Sequence, residues 1–449
     1  MDTHTITIES MAISGHGIGY LPDNSAVHVL GAFPKDVVEI HVYKKAEGIT
    51  YGEIVSIVTP SPFRTESPQQ RPFFDANAPW RYLSYEKEIA IKEQLLRDVF
   101  QSVASTTLDS TVFVSPEAKE YHYRNKAAYS FLYHQNALHF ALYPRGTSET
   151  KKCIQEENIL VHEVINHAGT IILQFLNQKK VPLTILKYLI LRYSYHTRSV
   201  VAHLLVTETS RKKLPWKKAH LDILIEQHDI IDGIIVSQSE ASVRSATTIK
   251  DFYGLGNCSI KEMVAGYMYH YHPSQFFQIY PQSFEDILKD CVACINSIPK
   301  HSEYKLLDLF AGVGIIGLHL SKYVASVHGV EQSPLSETYA LLNAQINGVS
   351  NFSYDEGNVD TLLSFIERNQ ILVVDPPRSG LSKNTLSAIT AALPEYILYI
   401  SCDPQTQAEN YIQLQEYYHI QHSQGYNLFP KTSHIEHLLF LKRKEDILV

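Results

Sequence analysis

Four apolar runs in the last third of the chain restrict its fold more than any other feature. They read "YKLLDLF", "ASVHGVE", "QILVVDPP" and "EYILYIS", and a helix-compatible segment follows each of them. Strands that are apolar along their whole length need cover on both faces, which is typical of a parallel sheet packed between helices. From about residue 300 onward, the pattern therefore predicts an α/β fold with a Rossmann-like, mostly parallel sheet.

The rest of the chain has a different organisation. "HTITIES", "AVHVLGAF" and "DVVEIHVY" alternate apolar and polar residues between glycine-rich turns, which predicts an OB-like β-barrel. A stretch rich in Pro, Ser and Gln follows the barrel. The predicted segments are a barrel (1–60), a linker (61–85), a helical segment packing on the catalytic domain (86–120), a central α+β domain (121–265) and a catalytic α/β domain (266–449).

Composition and charge exclude several classes of protein. The formal net charge of −8 argues against a chain that is basic throughout, although "RKKLPWKK" (211–218) places five cations in eight residues. That run is either a solvated loop or a phosphate-contacting edge. The N-terminus lacks the apolar segment of a signal peptide, and no apolar run is long enough to span a membrane. Five scattered cysteines indicate a reducing compartment, which predicts a cytoplasmic protein. We also expect a monomer.

A glycine loop follows the first of the four apolar runs. In "LLDLFAGVGIIGLHL", Asp308 ends the strand, and Gly312 and Gly314 allow the backbone to approach a ligand closely. Glu331 ends the next run, nineteen residues after Gly312, where an acid commonly binds a ribose diol. Glycine loops also bind NAD, but Asp308 before the loop and the missing third glycine favour S-adenosylmethionine (AdoMet).

Three further motifs place reactive side chains near strand ends. Asp375 ends the strand before "DPPRSGL", and Cys402 ends the strand before "DPQ", so both are expected in one crevice. Glu436, in "FPKTSHIEHLLFLKR", begins an apolar strand where a carboxylate needs a partner or a task. A free cysteine is more often a small buried apolar group, but its position beside Asp375 favours chemistry here. Cys291 and Cys294 form a CxxC without a second pair, which disfavours a metal site.

Taken together, the motifs resemble the RNA (uracil-5-)methyltransferases, in the group that carries an N-terminal TRAM domain. "SQFFQIYP", "DPPRSGL", "SCDP" and "FPKTSHIE" stand in the family's order and spacing, and "YRNKAAYSF" resembles a motif of its central domain. "MAISGHGIGYL" with "VLGAFPKDVVEI" resembles the TRAM barrel. The resemblance covers most of the chain and is thinnest between about 150 and 250.

The resemblance implies a role for each matching residue. Cys402 would be the nucleophile and Glu436 the general base. Residues that would line the AdoMet and uracil sites are Gln278, Glu331, Asp375 and, facing the adenine, Asn358. Arg124 and Lys126 in "YRNK" are candidate RNA phosphate contacts, together with 211–218.

The sequence also departs from the family pattern. Relatives with an iron–sulfur cluster carry three of its four cysteines before "LSYE", whereas "RPFFDANAPWRYLSYE" has none, so we expect no cluster. Tyr280 stands where Asn is usual, and so does Asp403, while Asn358 stands where Asp is frequent. These departures leave the catalytic groups in place and affect the details of cofactor and substrate affinity.

The leading hypothesis is therefore an enzyme that makes 5-methyluridine in RNA, with 23S rRNA as the expected target because of the TRAM domain. The same chemistry on tRNA is the alternative. A non-catalytic RNA-binding or folding factor is a third hypothesis, and the intact Cys402, Glu436 and glycine loop argue against it. The pairing of "DPPRSGL" with "SCDP" disfavours a cytosine-5 methyltransferase.

Overall fold

The computed structural model describes residues 3–66, 73–142, 153–155, 157–240 and 248–445. The chain divides into two compact units, of which the first comprises Met1–Glu120 and Gln282–Val449, and the second Tyr121–Pro144 and Thr150–Pro281. No helix within the described ranges is both long and apolar enough to cross a membrane.

The first unit begins with a closed β-barrel. Its strands are β1 (Thr3–Met11), β2 (His16–Tyr20), β3 (Ala26–Leu30), β4 (Val37–Ala46) and β5 (Ile49–Thr59). They pair in the order β1-β2-β3-β5-β4, and the antiparallel pairing of β1 with β4 closes the barrel. Ile6 and Ile8 are buried in its core, as the alternating pattern predicts. The structure thus confirms an N-terminal five-stranded barrel.

The segment 61–85 is anchored to the first unit by buried side chains. Arg64 forms an ion pair with the buried Asp36, with 2.7 Å between Nη2 and Oδ2. The buried Trp80 donates its indole N–H to the carbonyl of Gly15 at 3.1 Å. Residues 67–72 of the predicted linker lie outside the described residues. The described part is packed rather than loose, because it carries groups that need buried partners.

Residues after this segment supply α1 (Tyr85–Ala104) and the short strand β6 (Val112–Phe113). Only a helical segment was expected over 86–120. The strand forms because the backbone N–H of Val112 donates to Glu93 Oε1 at 3.0 Å and β6 joins the edge of a sheet.

The second unit is built around a seven-stranded sheet. Its elements are β7 (Lys126–His134), β8 (Ala137–Leu142), β9 (Cys153–Ile154), α2 (Glu163–Gln178), β10 (Leu186–Tyr193), β11 (Val200–Val206), α3 (Lys218–Glu226), β12 (Ile231–Gln238), β13 (Lys250–Gly256), β14 (Ile260–Val264) and β15 (Tyr267–Tyr271). The sheet order is β13-β12-β11-β10-β7-β8-β9, and β14 and β15 form a separate hairpin. The unit extends past residue 265 to Pro281, because Asn125 bonds the chain beyond the hairpin: its backbone N–H donates to Ile279 O at 2.9 Å.

The first unit resumes with the α/β part of the chain. Its elements are α4 (Pro281–Asn296), β16 (Lys305–Leu309), α5 (Ile315–Leu320), β17 (Ser326–Glu331), α6 (Ser336–Ile346), β18 (Phe352–Glu356), β19 (Gln370–Val374), α7 (Lys383–Ala392), β20 (Tyr396–Ser401), α8 (Pro404–Leu414), β21 (Tyr418–Tyr426) and β22 (Glu436–Arg443). The sheet order is β18-β17-β16-β19-β20-β22-β21-β6. Strands β16 to β20 are parallel, and β22 is antiparallel to β20 and β21. Every residue of β19 and β20 is buried, which confirms the predicted Rossmann-like sheet.

Candidate active site

The carboxyl ends of the parallel strands bring several predicted site residues to one edge of the sheet. Glu331 ends β17, Asp375 directly follows β19, and Cys402 directly follows β20. All three strands are parallel, with β17 and β19 on either side of β16 and β20 next to β19, so their ends meet at the same edge of the sheet.

Glu436 reaches that edge from the opposite direction. It is the first residue of β22, whose pairing with β20 places His437 opposite Ser401. The antiparallel register therefore brings the start of β22 to the end of β20, and Glu436 lies beside Cys402. The structure thus brings Cys402, Glu436 and Asp375 together.

Asp308 lies fully buried near the end of β16. Its Oδ2 accepts the backbone N–H of Gly317 at 2.9 Å, while its Oδ1 is buried without a hydrogen-bond partner among the described residues. A Cβ at Gly317 would stand 2.9 Å from the same Oδ2, so only glycine allows this contact. Burial raises the pKa of Asp308 to about 8, and the charges of Asp375 and Glu331 act in the same direction.

The glycine loop after β16 leaves open space beside its backbone. Gly312 and Gly314 have positive φ angles of 55° and 85°, which side chains rarely adopt. No described atom lies within 4 Å of the position that a Cβ of Gly312 would occupy. Phe310 also has a positive φ of 64°, an uncommon conformation that clusters at functional sites. The loop thus leaves open space at Gly312, next to the acidic Asp308, while the Gly312 carbonyl accepts the Tyr354 hydroxyl.

Cys402 is half-buried in a negative environment. Burial, together with the nearby carboxyl groups of Glu436 and Asp375, raises the pKa of its thiol to about 12. Arg378 opposes this effect and favours the thiolate. Its guanidinium also lies 3.1 Å from Nε2 of His434. Arg378 stands in the "DPPRSGL" motif, but the sequence analysis gave it no role, because an exposed arginine carries no signal by itself.

The two carboxyl groups around Cys402 share its environment. Burial raises the pKa of Glu436 well above its usual range, and Asp375 raises it further, whereas Arg378 lowers it. The pKa of Asp375 is likewise raised by burial and by the charge of Glu331. Arg378 is therefore the cation that favours the ionised forms of both Cys402 and Glu436.

One side chain of α8 and the residue that caps it hold the loops that carry these groups. Asn410 Oδ1 accepts the backbone N–H of Leu381 and the hydroxyl of Tyr399, both at 2.7 Å, and so fixes the end of the "DPPRSGL" loop. Asp403 caps the helix by accepting the backbone N–H of Gln405 at 3.1 Å. Since Asp and Asn both cap helices well, the departure at 403 preserves this local structure. Asn410 was missed because a mid-helix amide outside a motif has no sequence signal.

The loop before Glu436 is held by a buried charge cluster. Both carboxylate oxygens of Glu88, in α1, accept the backbone N–H of Lys431. Lys92 donates to Glu88 at 2.8 Å and to Asn427 at 2.6 Å. The Lys431 ammonium lies 2.6 Å from a carboxylate oxygen of Glu120. We call these five residues the buried charge cluster; it ties α1 to the chain just before the general-base candidate.

One predicted site residue of the first unit is more exposed than the others. Asn358 is exposed, and its side chain accepts the backbone N–H of Asp360 at 2.9 Å, capping a short 3₁₀ turn after β18. Its proposed role toward an adenine stays a prediction.

The remaining predicted residues lie in the second unit. Gln278 is buried, and its backbone carbonyl accepts the side-chain N–H of Asn125 at 3.1 Å. Arg124 donates to the Tyr123 hydroxyl at 3.3 Å. Lys126 lies beside the buried Arg192, whose charge, together with burial, lowers the pKa of Lys126 to about 7. The motifs "YRNK" and "SQFFQIYP" are thus brought together, and the roles of their side chains stay predictions.

The Arg192 guanidinium was not foreseen from the sequence. It is buried and donates to three backbone carbonyls, including Gln275 O at 2.6 Å. An arginine inside the strand "LKYLILRY" gave no signal of such a role.

The parallel sheet, the open glycine loop and the strand-end acids define the class I methyltransferase fold. The tRNA (uracil-5-)-methyltransferase family model matches residues 84–356 and 359–444. The chain therefore belongs to the tRNA (uracil-5-)-methyltransferase family and is an RNA methyltransferase by that membership.

Similar proteins agree with this assignment. A protein of Lactobacillus johnsonii named as an uncharacterised RNA methyltransferase is 27% identical and covers 95% of this chain and 94% of its own length. A Thermotoga maritima protein with the same description is 26% identical, over 96% of this chain and 97% of its own. The crystal structure of Pyrococcus abyssi tRNA (uracil-54, C5)-methyltransferase in complex with S-adenosyl-L-homocysteine has a TM-score of 0.74 at 20% identity, covering 98% of this chain and 100% of that one.

Proposed function

We propose that the protein uses AdoMet to methylate C5 of a specific uridine in RNA through a covalent cysteine adduct. The observation that carries this proposal is the position of Cys402 at the end of β20, beside Glu436 and Arg378. A thiol, a carboxylate and a cation at the open edge of a sheet are the groups that this reaction needs.

The crevice residues fit a cationic nucleoside cofactor. Buried Asp308 keeps one carboxyl oxygen without a described partner, and its burial together with the repulsion of the acids around it raises its pKa. The positive charge of AdoMet would relieve that repulsion, since opposite charges favour the ionised carboxylate. Gly312 and Gly314 would lie against the cofactor, and Glu331 would bind its ribose. When bound, AdoMet supplies the electrophilic methyl group.

Cys402 and Glu436 have separate tasks in this proposal. Uracil C5 is a poor nucleophile, and addition of the Cys402 thiolate to C6 turns C5 into an enolate carbon that can accept the methyl group. Arg378 favours the thiolate that makes this bond. Glu436 then removes the C5 proton, and the electrons of the C5–H bond form the C5–C6 double bond while the thiolate leaves. The base must be unstacked from its RNA helix to reach these groups.

Two RNAs are candidate targets of this reaction. The N-terminal barrel led to 23S rRNA as the expected target. The matching family model is named for tRNA, and the Pyrococcus abyssi enzyme acts on uracil-54 of tRNA, which favours tRNA as the second candidate. Both targets require the same chemistry at Cys402.

Nucleoside analysis of purified 23S rRNA and tRNA from a deletion strain tests the proposal. Loss of 5-methyluridine from one of the two RNAs, restored by the wild-type chain but not by Cys402→Ala, is the expected result. Mapping the restored site identifies the uridine. If 5-methyluridine is unchanged in both RNAs and the purified chain adds no labelled methyl group to RNA from the deletion strain, the proposed function is wrong.

A further inference from the structure

A cleft of about 680 Å³ lies in the second unit and contains none of the residues assigned to catalysis above. Four cations line it: Arg211, Lys212, Lys217 and Lys218. Trp216 and Tyr253 form its aromatic wall. We call this the basic cleft; its volume falls in the range of about 300–1,000 Å³ that is usual for ligand sites.

The cations of the basic cleft are not neutralised by the protein. All four are exposed, no acidic residue lines the cleft, and none of the four has an ion pair with a described carboxylate. The whole chain carries a net charge of −8, so this positive charge is a local concentration rather than an average property. Clustered like charges repel one another, and an anionic ligand would relieve that repulsion.

The loop that carries the cations is fixed to the core of its unit. Trp216 is buried, donates its indole N–H to the Tyr253 hydroxyl at 2.7 Å, and packs edge-on against Phe175 with ring centroids 6.4 Å apart. Leu214 is buried in the same core. A solvated loop needs no such anchors, whereas a rigid platform lowers the entropy cost of binding.

The chemistry of the lining selects the ligand. The four cations can only donate hydrogen bonds. The Tyr253 hydroxyl accepts the hydrogen bond of the Trp216 indole N–H, so its own O–H is available to donate to a ligand. Burial raises the pKa of Tyr253, so that proton is retained. A chain of phosphates satisfies several separated donors at once, as a single small anion does not.

We propose that the basic cleft binds backbone phosphates of single-stranded or irregular RNA. The proposal rests on the proposed function for the identity of the nucleic acid as RNA. It adds a second RNA contact, made by residues that take no part in catalysis.

The test compares two double variants of equal charge change. Lys212→Gln/Lys217→Gln removes two cleft cations, and Lys250→Gln/Lys261→Gln removes two exposed strand lysines of the same unit that do not line the cleft. Binding of a fluorescein-labelled oligouridylate is measured by anisotropy over a salt series. The cleft variant should lose about 1.4 units of the slope of log K against log salt, since each phosphate contact on a single strand contributes about 0.7. The control should keep the wild-type slope.

Further measurements separate the possible failures. Circular dichroism melts should be equal for all variants, and Arg211→Gln/Lys218→Gln should repeat the loss of slope. Wild-type slopes in both cleft variants would overturn the proposal. So would loss of polyglutamate binding with unchanged oligouridylate binding, which would assign the cleft to an acidic protein. If the cleft variants reduce the salt slope but the wild-type protein methylates no RNA, the cleft proposal is supported and the proposed function is rejected.

Discussion

The candidate ligand sites of the two units gather charged groups of opposite sign. In the first, Asp308, Asp375 and Glu436 gather at the edge of the parallel sheet, and the pKa of each is raised. In the second, Lys126 lies beside the buried Arg192, and the pKa of Lys126 is lowered. Groups of like charge held close together repel one another, so a ligand of the opposite sign would stabilise each arrangement.

The two units differ in the charge of the ligand that each is expected to bind. The acidic crevice suits a cationic cofactor, whereas the basic unit suits an anionic polymer. The second unit also buries Glu262, which accepts the backbone N–H groups of Tyr195, His196 and Met263. These bonds satisfy the Glu262 carboxylate within the protein, whereas Asp308 keeps one carboxyl oxygen without a described partner.

Removing the nucleophile from the acidic unit should have the largest effect. Cys402→Ala should abolish turnover and leave AdoMet binding nearly intact, because the cofactor is bound by other residues. Glu436→Gln should let the thiolate add and the methyl group transfer, after which elimination stalls. A methylated protein–RNA complex that survives denaturant should then accumulate as a shifted gel band.

Cys258→Ser, in the second unit, serves as the matched control and should turn over normally. The double variant of Cys402 and Glu436 should give no band. A shifted band from Cys402→Ala, or rapid release of methylated RNA from Glu436→Gln, would show that the nucleophile or the base is another residue.

The next effect tests whether the two units bind different ligands. Glu331→Ala should weaken AdoMet binding by about 1.5–3 kcal/mol, which is the loss of a hydrogen bond to a charged group, and leave RNA binding unchanged. Arg124→Gln should do the reverse, with a salt slope for RNA that is lower by about one unit. Calorimetry and anisotropy on both variants measure the four affinities. Equal losses for both ligands in either variant would remove the distinction between the units.

The pH dependence of binding should have opposite signs in the two units. Asp308 has a raised pKa of about 8, so binding a cation releases its proton, and AdoMet affinity should rise with pH up to about 8. Lys126 has a lowered pKa of about 7, so binding a phosphate takes up a proton, and RNA affinity should fall as the pH rises above about 7. One proton changes affinity by at most about tenfold per pH unit. Asp308→Asn and Lys126→Gln should flatten the respective profiles; parallel profiles for the two ligands would contradict the assignment.

The smallest effect concerns the thiol itself. Because its pKa is raised to about 12, Cys402 should react slowly with iodoacetamide at neutral pH. The positive charge of AdoMet should offset the neighbouring acids and speed the reaction several-fold, whereas uncharged S-adenosylhomocysteine should not. Mass spectrometry of the Cys402 peptide over time gives both rates. Identical rates with the two ligands would show that the sulfonium charge does not act on the thiol.

Much of the fold could be predicted because it depends on local periodicity. Continuous apolar runs indicated the parallel strands, and alternation indicated the barrel. The short strand Val112–Phe113 was missed because two residues carry no periodic signal, and it depends on its pairing with β21 and its bond to Glu93. The second unit was placed as a mixed domain without a named architecture, since its strands pair across long stretches of chain.

Some residues of the candidate site could likewise be predicted from the sequence, and others could not. Cys402, Asp375 and Glu331 stand at strand ends, where sequence position alone indicates the crevice. Arg378, Asn410 and Arg192 act through contacts that only the tertiary structure creates. The Trp80 indole is similar: it fixes the cysteine-free segment before α1, yet in the sequence it is one aromatic residue among many.

The buried charge cluster also sets an order for the synthesis of the molecule. Glu88 pairs within α1 with Lys92, but the backbone N–H of Lys431 that it also accepts lies 343 residues further along the chain. The Glu88–Lys92 pair can form as soon as the helix does, but burying it requires Asn427 and Lys431, which supply the remaining hydrogen bonds. The α1 helix therefore cannot complete this burial until nearly the whole chain has emerged. Glu436 follows Lys431 by five positions, and the general-base candidate is among the last groups of the nascent enzyme to reach its place.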